Sequence, residues 1–338
     1  MGDSNMRIRQ MDGLRAVAAL AVVMIHVSAG RMNPVGVSCN QAARFAVPLF
    51  IMLSGYGHMH SWLQHSGQSA VQTAKRRLKR VLPAYLVWSV LYLAVDAVFG
   101  KPHAHPIKNI LTGGSYVHLY YIFILVQLIL LSELFCRAVE RHPAVTLLLS
   151  AGLTFGMEIV LYLLTVGQLQ WQFPVAPIGL FVCWPLFYNI GAWLAKSGLS
   201  NRLRLRVCLP LWALSAVLVL LAEEHSAAAY KMGLRPDTTV YTLLTWAVLW
   251  SLFSRLPEIP KPLQFIARHS FGLYLAHPLV LRLWNEWTTR QPQVTYLRLW
   301  QMFALAGGLA IAVTLSYLPF GEYLGGAKRT KKILQRRA

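Results

Sequence analysis

Apolar runs separated by short clusters of basic and helix-breaking residues recur along the whole chain. Windows of roughly 17–22 apolar residues, long enough to cross the hydrocarbon of a bilayer, can be placed ten times, at about 13–30, 43–60, 81–99, 116–135, 144–165, 175–195, 207–222, 237–254, 269–289 and 299–318. The pattern predicts an all-α polytopic membrane protein of about ten transmembrane helices. No long linker, low-complexity tract or soluble module interrupts it, so a single transmembrane domain is expected over 1–338, with a basic tail at 319–338. Chemistry in such a chain has to be built largely from its helices.

Composition fits this reading, with 56% of the 338 residues hydrophobic and 13% charged, far from the balance of a soluble domain. A net charge of +20 can signal nucleic acid. Here the Lys and Arg residues fall between apolar windows, as the positive-inside rule requires, so nucleic-acid binding is set aside. With the amino terminus inside, 22 of the 32 basic residues are cytoplasmic: Arg7, Arg9, the run Lys75 to Arg80, Arg137, Arg141, the run Lys196 to Arg206, Arg255, Lys261, Arg268 and the tail from Lys328 to Arg337. Eight lie in outward loops, namely Arg31, Arg44, Lys101, Lys108, Lys231, Arg235, Arg290 and Arg298, while Arg15 and Arg282 lie inside windows. An even span count places both termini in the cytoplasm, and an odd count would scramble the bias. Cys39, Cys136, Cys183 and Cys208 show neither metal spacing nor a pairing pattern and read as small core residues. The first window imitates a signal peptide, yet the arginine at its start and the many later spans argue that it is retained. Trp62, Trp171, Trp184 and Trp287 are expected at the membrane interface.

The first window, MDGLRAVAALAVVMIHVSA, carries the most informative polar pair. Arg15 and His26 are eleven residues apart, which on a helix returns to within about 20° of the same direction and separates them by roughly 16 Å. A charge and a titratable ring inside a membrane helix are costly unless they face protein or water, which makes both functional candidates. The alternative is that Arg15 snorkels to the interface while His26 makes a structural hydrogen bond between helices. Asp12 is either the helix N-cap or a partner holding the Arg15 guanidinium. Glu158, the acid near the middle of a window, either orients a histidine or Arg282 across the bundle, or stays a neutral acid bonded to a carbonyl. His277 precedes Pro278, whose missing N–H opens a carbonyl that a histidine can satisfy. His58, His60 and His65 crowd the inner end of the second window without a Cys or carboxylate at ligand spacing, so no metal is expected. His103 and His105 are expected to be solvated, and Ser54-Gly55 is read chiefly as a close-packing position.

The segments DGLRAVAALAVVMIH and FAVPLFIMLSGY resemble the start of the acyltransferase family 3 membrane proteins. That family is marked by an Arg and a His with ten residues between them in the first span, matched by Arg15 and His26. A Pro, Phe and Ser-Gly-aromatic pattern in the second span is matched by Pro48, Phe50 and Ser54-Gly55-Tyr56. A basic pair followed by Pro and Tyr is matched by Arg77, Arg80, Pro83 and Tyr85, and HSFGLYLAHP from His269 to Pro278 matches a segment near the end. The stretch HLYYIFILVQLILL from His118 departs from the family, because Tyr120 and Gln127 stand where larger members carry a Trp and acids.

The resemblance implies transfer of an acyl group, commonly acetyl, from acyl-coenzyme A to a hydroxyl of a carbohydrate acceptor such as a glycan, in a bacterial-type cytoplasmic membrane and with no metal. His26 is the candidate base, since imidazole titrates near neutrality; alternatively it carries the acyl group itself as an acyl-imidazole. His277 is a second candidate at the reacting centre, with Glu158 as a possible orienting carboxylate. Coenzyme A has its phosphates far from its thioester, so cations distant from the base are expected to hold it: Arg15, Arg77 and Arg80, with Tyr85 in the same stretch. The competing role of Arg77 and Arg80 is to set topology and contact anionic lipid. Two other classes remain open: a transporter or flippase lined by Arg15 and His26, and a non-catalytic scaffold for polysaccharide export.

Overall fold

The need to keep every backbone N–H and C=O paired inside hydrocarbon is met almost entirely by helices. The computed structural model describes residues 8–29, 34–64, 69–222, 234–290 and 300–328, and these contain no strand. In chain order they form α1 (Arg9–Ser28), α2 (Pro34–Ala42), α3 (Ala46–Gln64), α4 (Ala70–Val98), α5 (Pro106–Thr112), α6 (Tyr120–Leu130), α7 (Ser132–Arg141), α8 (Pro143–Thr165), α9 (Pro185–Ser197), α10 (Leu205–Ala222), α11 (Pro236–Arg255), α12 (Lys261–Arg290) and α13 (Trp300–Tyr317). Prolines open α5, α8, α9 and α11, where a missing N–H costs nothing. Glycines in the left-handed region, Gly113 and Gly198, close α5 and α9.

A helix lies in each of the ten apolar windows, but they are not equivalent. Five helical stretches have the length and apolarity to cross a membrane: Arg9–Ser28, Pro34–Gln64, Val71–Val98, Pro143–Thr165 and Leu205–Ala222. A sixth joins α6 to α7 across a bend of 59°. The window at 116–135 opens on non-helical backbone, so that α6 is only 11 residues, and the window at 175–195 opens on two 3₁₀ turns before the 13-residue α9. At about 1.5 Å per residue these are half-spans. Apolarity alone does not distinguish a helix from irregular backbone buried at the same depth.

Helix α1 is the hub, packing on α2, α3, α11, α12 and α13. Two glycine seams bring other helices close. A Cβ at Gly55 would meet the carbonyl of Tyr188, and one at Gly191 would meet that of Met52, so α3 and α9 cross backbone to backbone. This gives Gly55 the packing role. On the other side a Cβ at Gly308 would lie 3.2 Å from the Cα and Cβ of His277, and one at Gly272 would lie 2.7 Å from the Cβ of Ala312, so α13 seats closely on α12. In contrast, α8 fully buries only Thr146, Ser150, Thr154 and Glu158, a single four-residue repeat, and turns Leu148, Leu149 and Leu153 outward.

The irregular stretches are pinned from neighbouring helices. Tyr85 lies thirteen residues before the end of α4, about 20 Å down the helix. Its hydroxyl donates to the carbonyl of Ile110 and accepts the N–H of Gly113 at 3.1 Å. The chain after α4 therefore turns back into the bundle, carrying residues 113–119 inward. Along the same face of α4, Trp88 donates to the carbonyl of Leu324 at 2.9 Å and Tyr92 to that of Leu275 at 2.7 Å. The other irregular stretch is held by Gln127, whose amide donates to the carbonyl of Gly179 at 2.8 Å and accepts the N–H of Phe181 at 3.1 Å.

Three expectations need correction. Trp184 is not at an interface: it is fully buried and donates to the carbonyl of Ile178 at 2.8 Å. His103 is not simply solvated, because its ring bonds Asp96 at 3.1 Å and Asn109 at 2.9 Å. Asp12 is not the N-cap of α1, where Ile8 takes that position; it pairs with Arg15 at 3.0 Å. His65, Arg7, Arg31, Lys231, Arg298 and the tail beyond Lys328 lie outside the described residues.

Gln127→Met keeps the volume but strips partners from two buried backbone groups, each costing about 1–3 kcal/mol when left unpaired. Purified protein carrying it is expected to melt several degrees below wild type; an unchanged melting temperature would mean that Gln127 does not hold the 177–184 stretch.

Candidate functional site

Three histidines from distant parts of the chain meet in the interior. His26 comes from the last turn of α1, His277 from the middle of α12, and His118 from the irregular backbone just before α6. Ring centroids are 5.1 Å apart for His26 and His277, 5.9 Å for His118 and His277, and 6.1 Å for His26 and His118. His118 is 1% exposed and His277 fully enclosed, whereas His26 is only partly buried. Of the three rings, His26 is the one that reaches the surface.

The supports differ for each ring. Pro278 cannot donate to the helix ladder, and beside it the Nδ1 of His277 bonds the carbonyl of Leu273 at 2.9 Å. A carbonyl only accepts, so Nδ1 carries the proton and Nε2 presents its lone pair, with no hydrogen-bond partner among the described residues. Pro278 leaves open the carbonyl of Tyr274, so this bond to Leu273 is not the one the sequence suggests; it fixes the tautomer of His277 with the lone pair on Nε2. His118 is fixed through its backbone, whose carbonyl accepts the hydroxyl of Tyr274. Its ring packs edge-on against Tyr92 and Tyr116 at 5.2 and 5.7 Å and tilted against Tyr274 at 5.1 Å, with the backbone carbonyl of Leu275 beside it.

Charges surround this cluster on two sides. Toward the amino end of α1, Arg15 pairs with Asp12 at 3.0 Å, and its side chain is 36% exposed. Arg44, in the turn between α2 and α3, acts electrostatically on both His26 and Tyr120. On the other side Arg282 donates to Asp96 at 2.9 Å and also to Glu286, and Glu286 takes Lys101 at 3.3 Å. With His103 on the second oxygen of Asp96, this network ties α4, α12 and the returning segment together.

The remaining candidates are placed as follows. Glu158 stands apart from the histidines, between α8 and α11, where Thr239 donates to it at 3.3 Å; Arg282 has Asp96 and Glu286 instead. The Tyr85 hydroxyl is committed to Ile110 and Gly113, so it braces the returning segment. Arg77 is half-buried and acts on Tyr188 and His58, which bond each other at 2.6 Å, while Arg80 is exposed. Among the described residues no group of three or more His, Cys, Asp or Glu has metal-binding geometry.

Sequence reasoning missed His118, Arg44 and Gln127 as parts of the site and its frame. A histidine opening an apolar window was the available signal for His118. Its meeting with α1 and α12 has no periodic signature.

A family model described as an acyltransferase domain, that of acyltransferase family 3, matches residues 8–318, from the cap of α1 through the end of α13. No curated protein and no solved structure matches the chain.

Removing Arg282 leaves Asp96 and Glu286 without their shared cation. Arg282→Met is expected to destabilise by about 1–3 kcal/mol, with Asp96→Asn in that background recovering part of the loss. Equal melting temperatures for Arg282→Met and wild type would show that the network carries no stability.

Proposed function

Since the chain belongs to acyltransferase family 3 and is a membrane acyltransferase, we propose that it moves an acyl group, acetyl in the first instance, from cytoplasmic acyl-coenzyme A to a hydroxyl of a carbohydrate. The acceptor is a cell-surface polysaccharide or its lipid-linked precursor. The observation that carries the reading is the meeting of His26 and His277, 251 residues apart in the chain, with ring centroids at 5.1 Å inside the bundle.

In this reading an acceptor hydroxyl gives its proton to His26 as its oxygen bonds the thioester carbon. The C–S bond then breaks and the departing thiolate takes the proton back. Desolvation around the rings strengthens every contact made to the reacting atoms. Arg15, about three turns from His26 along α1, holds the donor phosphates together with Arg77 and Arg80. The roughly 16 Å between Arg15 and His26 is to be filled by the pantetheine arm. Glu158 supports the α8–α11 packing rather than the reaction. The chain is placed in a bacterial-type cytoplasmic membrane with ten spans and both termini inside, a topology supported by the 22 to 8 partition of basic residues.

Proteoliposomes given labelled acetyl-coenzyme A and a panel of saccharide acceptors are expected to yield an acylated sugar and free thiol. Movement of a glycan across the membrane without covalent change would instead establish a transporter. In the same assay His26→Ala is expected to lower kcat by at least about 10²-fold, and retention of transfer would remove His26 from the mechanism. Arg15→Ala is expected to raise KM for acetyl-coenzyme A with a smaller effect on kcat; an unchanged KM would contradict the phosphate assignment. For topology, Lys101→Cys is expected to react with a membrane-impermeant maleimide from outside, and Arg76→Cys only after the membrane is opened.

A further inference from the structure

Away from the histidines, a groove of about 670 Å³ lies between α4 and the bent pair α6 and α7, within the roughly 300–1,000 Å³ of ligand sites. It arises from the bend. Helix α4 packs on α6, and at Leu131 the chain turns by 59° into α7, so α7 leaves the line of α6 and a wedge opens beside α4. One wall is a single face of α4 carrying Lys75, Leu78, Lys79, Leu82 and Pro83; the other has Ile129 and Leu130 at the end of α6 and Glu133 at the start of α7. The α4 wall is graded along its length. From Val71 onward α4 has the length and apolarity to cross a membrane, so its basic start lies at a membrane face, and Pro83 stands about 12 Å deeper than Lys75. Both lysines are exposed and have no ion pair among the described residues, while the acid lining the groove, Glu133, is given to Arg137. Arg77 points about 200° round α4 from Lys75, so the lysine face is distinct from the arginine assigned to the donor.

We propose that this groove binds one anionic glycerophospholipid of the phosphatidylglycerol type, with its phosphodiester on Lys75 and Lys79 and an acyl chain along Leu78, Leu82, Ile129 and Leu130. A phospholipid has the same order as the wall, charge at the membrane face and hydrocarbon below it. Two ammonium groups one helical turn apart, on flexible stems, converge on a single phosphate. Charge selects among lipids, because a zwitterionic headgroup brings a third cation beside the two lysines. The groove also sits where α4 is weakest. Pro83 has no N–H to give the carbonyl of Lys79 four residues back, and two residues further on Tyr85 holds the returning segment. A lipid touching both walls ties α4 to α6 at that level, and so supports the frame without entering the reaction.

The test titrates the full chain, purified in neutral detergent, with phosphatidylglycerol, phosphatidylcholine or a polyprenyl phosphate. Native mass spectrometry counts bound lipid, and the melting temperature is read alongside. Wild type is expected to retain one phosphatidylglycerol and to melt several degrees higher with it, and to bind phosphatidylcholine at least about tenfold more weakly. Joint Lys75→Gln and Lys79→Gln substitution is expected to weaken phosphatidylglycerol about 10- to 30-fold. Joint Arg204→Gln and Arg206→Gln substitution removes as much charge from exposed positions elsewhere, and is expected to stay within about twofold of wild type. Leu82→Trp fills the groove but keeps both lysines, and is expected to weaken binding about tenfold. If Leu82→Trp does not fold, the two charge variants decide. Equal binding of phosphatidylcholine, equal losses in the two charge variants, full binding by a folded Leu82→Trp, or a preference for polyprenyl phosphate would overturn the proposal.

Discussion

Irregular backbone at membrane depth is stable only where protein supplies the missing hydrogen bonds, and this chain uses that constraint twice. Residues 113–119 are held by the hydroxyls of Tyr85 and Tyr274, and residues 177–184 by the amide of Gln127. Each support is a side chain with an apolar body and a polar end, able to sit in a core and still bond a stray backbone group. The supports come from α4, α6 and α12, so the irregular stretches and those helices hold one another in register. Glycines at positions 55, 191, 272 and 308 separately let α3 approach α9 and α12 approach α13.

The histidine cluster follows from this arrangement. A helix presents side chains every 3.6 residues along one face, so two helices alone place His26 and His277 together but leave the third direction to whatever crosses between them. The returning segment supplies that direction, with His118 at its inner end. Pro278 breaks the ladder of α12 at the same level, and the carbonyl of Leu273 orients His277. One proline and one returning loop thus turn a packing interface into a set of three rings, one of them, His277, with a fixed tautomer. Membership of acyltransferase family 3 makes the chain a membrane acyltransferase, and Arg15 stands on α1 roughly 16 Å from His26.

Much of the fold was legible because hydrocarbon imposes a length on every spanning element. All ten apolar windows contain helix, and the register of Arg15 and His26 along α1 holds because α1 is continuous. The windows at 116–135 and 175–195 predict full helices but hold shorter ones, since buried irregular backbone is as apolar as a buried helix. Asp12 was read as N-cap or partner, and the start of α1 at Arg9 leaves it the partner of Arg15. Glu158 drew attention as an isolated acid, but position along a helix says nothing about which helix it faces. The same limit hides His118 and Gln127: the hydroxyl of Tyr274 bonds the carbonyl of His118 and the amide of Gln127 bonds that of Gly179, backbone groups that no side-chain pattern reports.

The central claim is that the three-histidine cluster receives an acyl group carried by a donor whose phosphates lie toward the amino end of α1. A structure of the protein in a lipid nanodisc with a non-hydrolysable thioether analogue of acetyl-coenzyme A tests it most directly. The account predicts the analogue's acyl oxygen within hydrogen-bonding distance, about 3 Å, of the histidine rings, with its phosphates on Arg15 and Arg77. Phosphates bound elsewhere, or an acyl group outside the reach of all three rings, would contradict it.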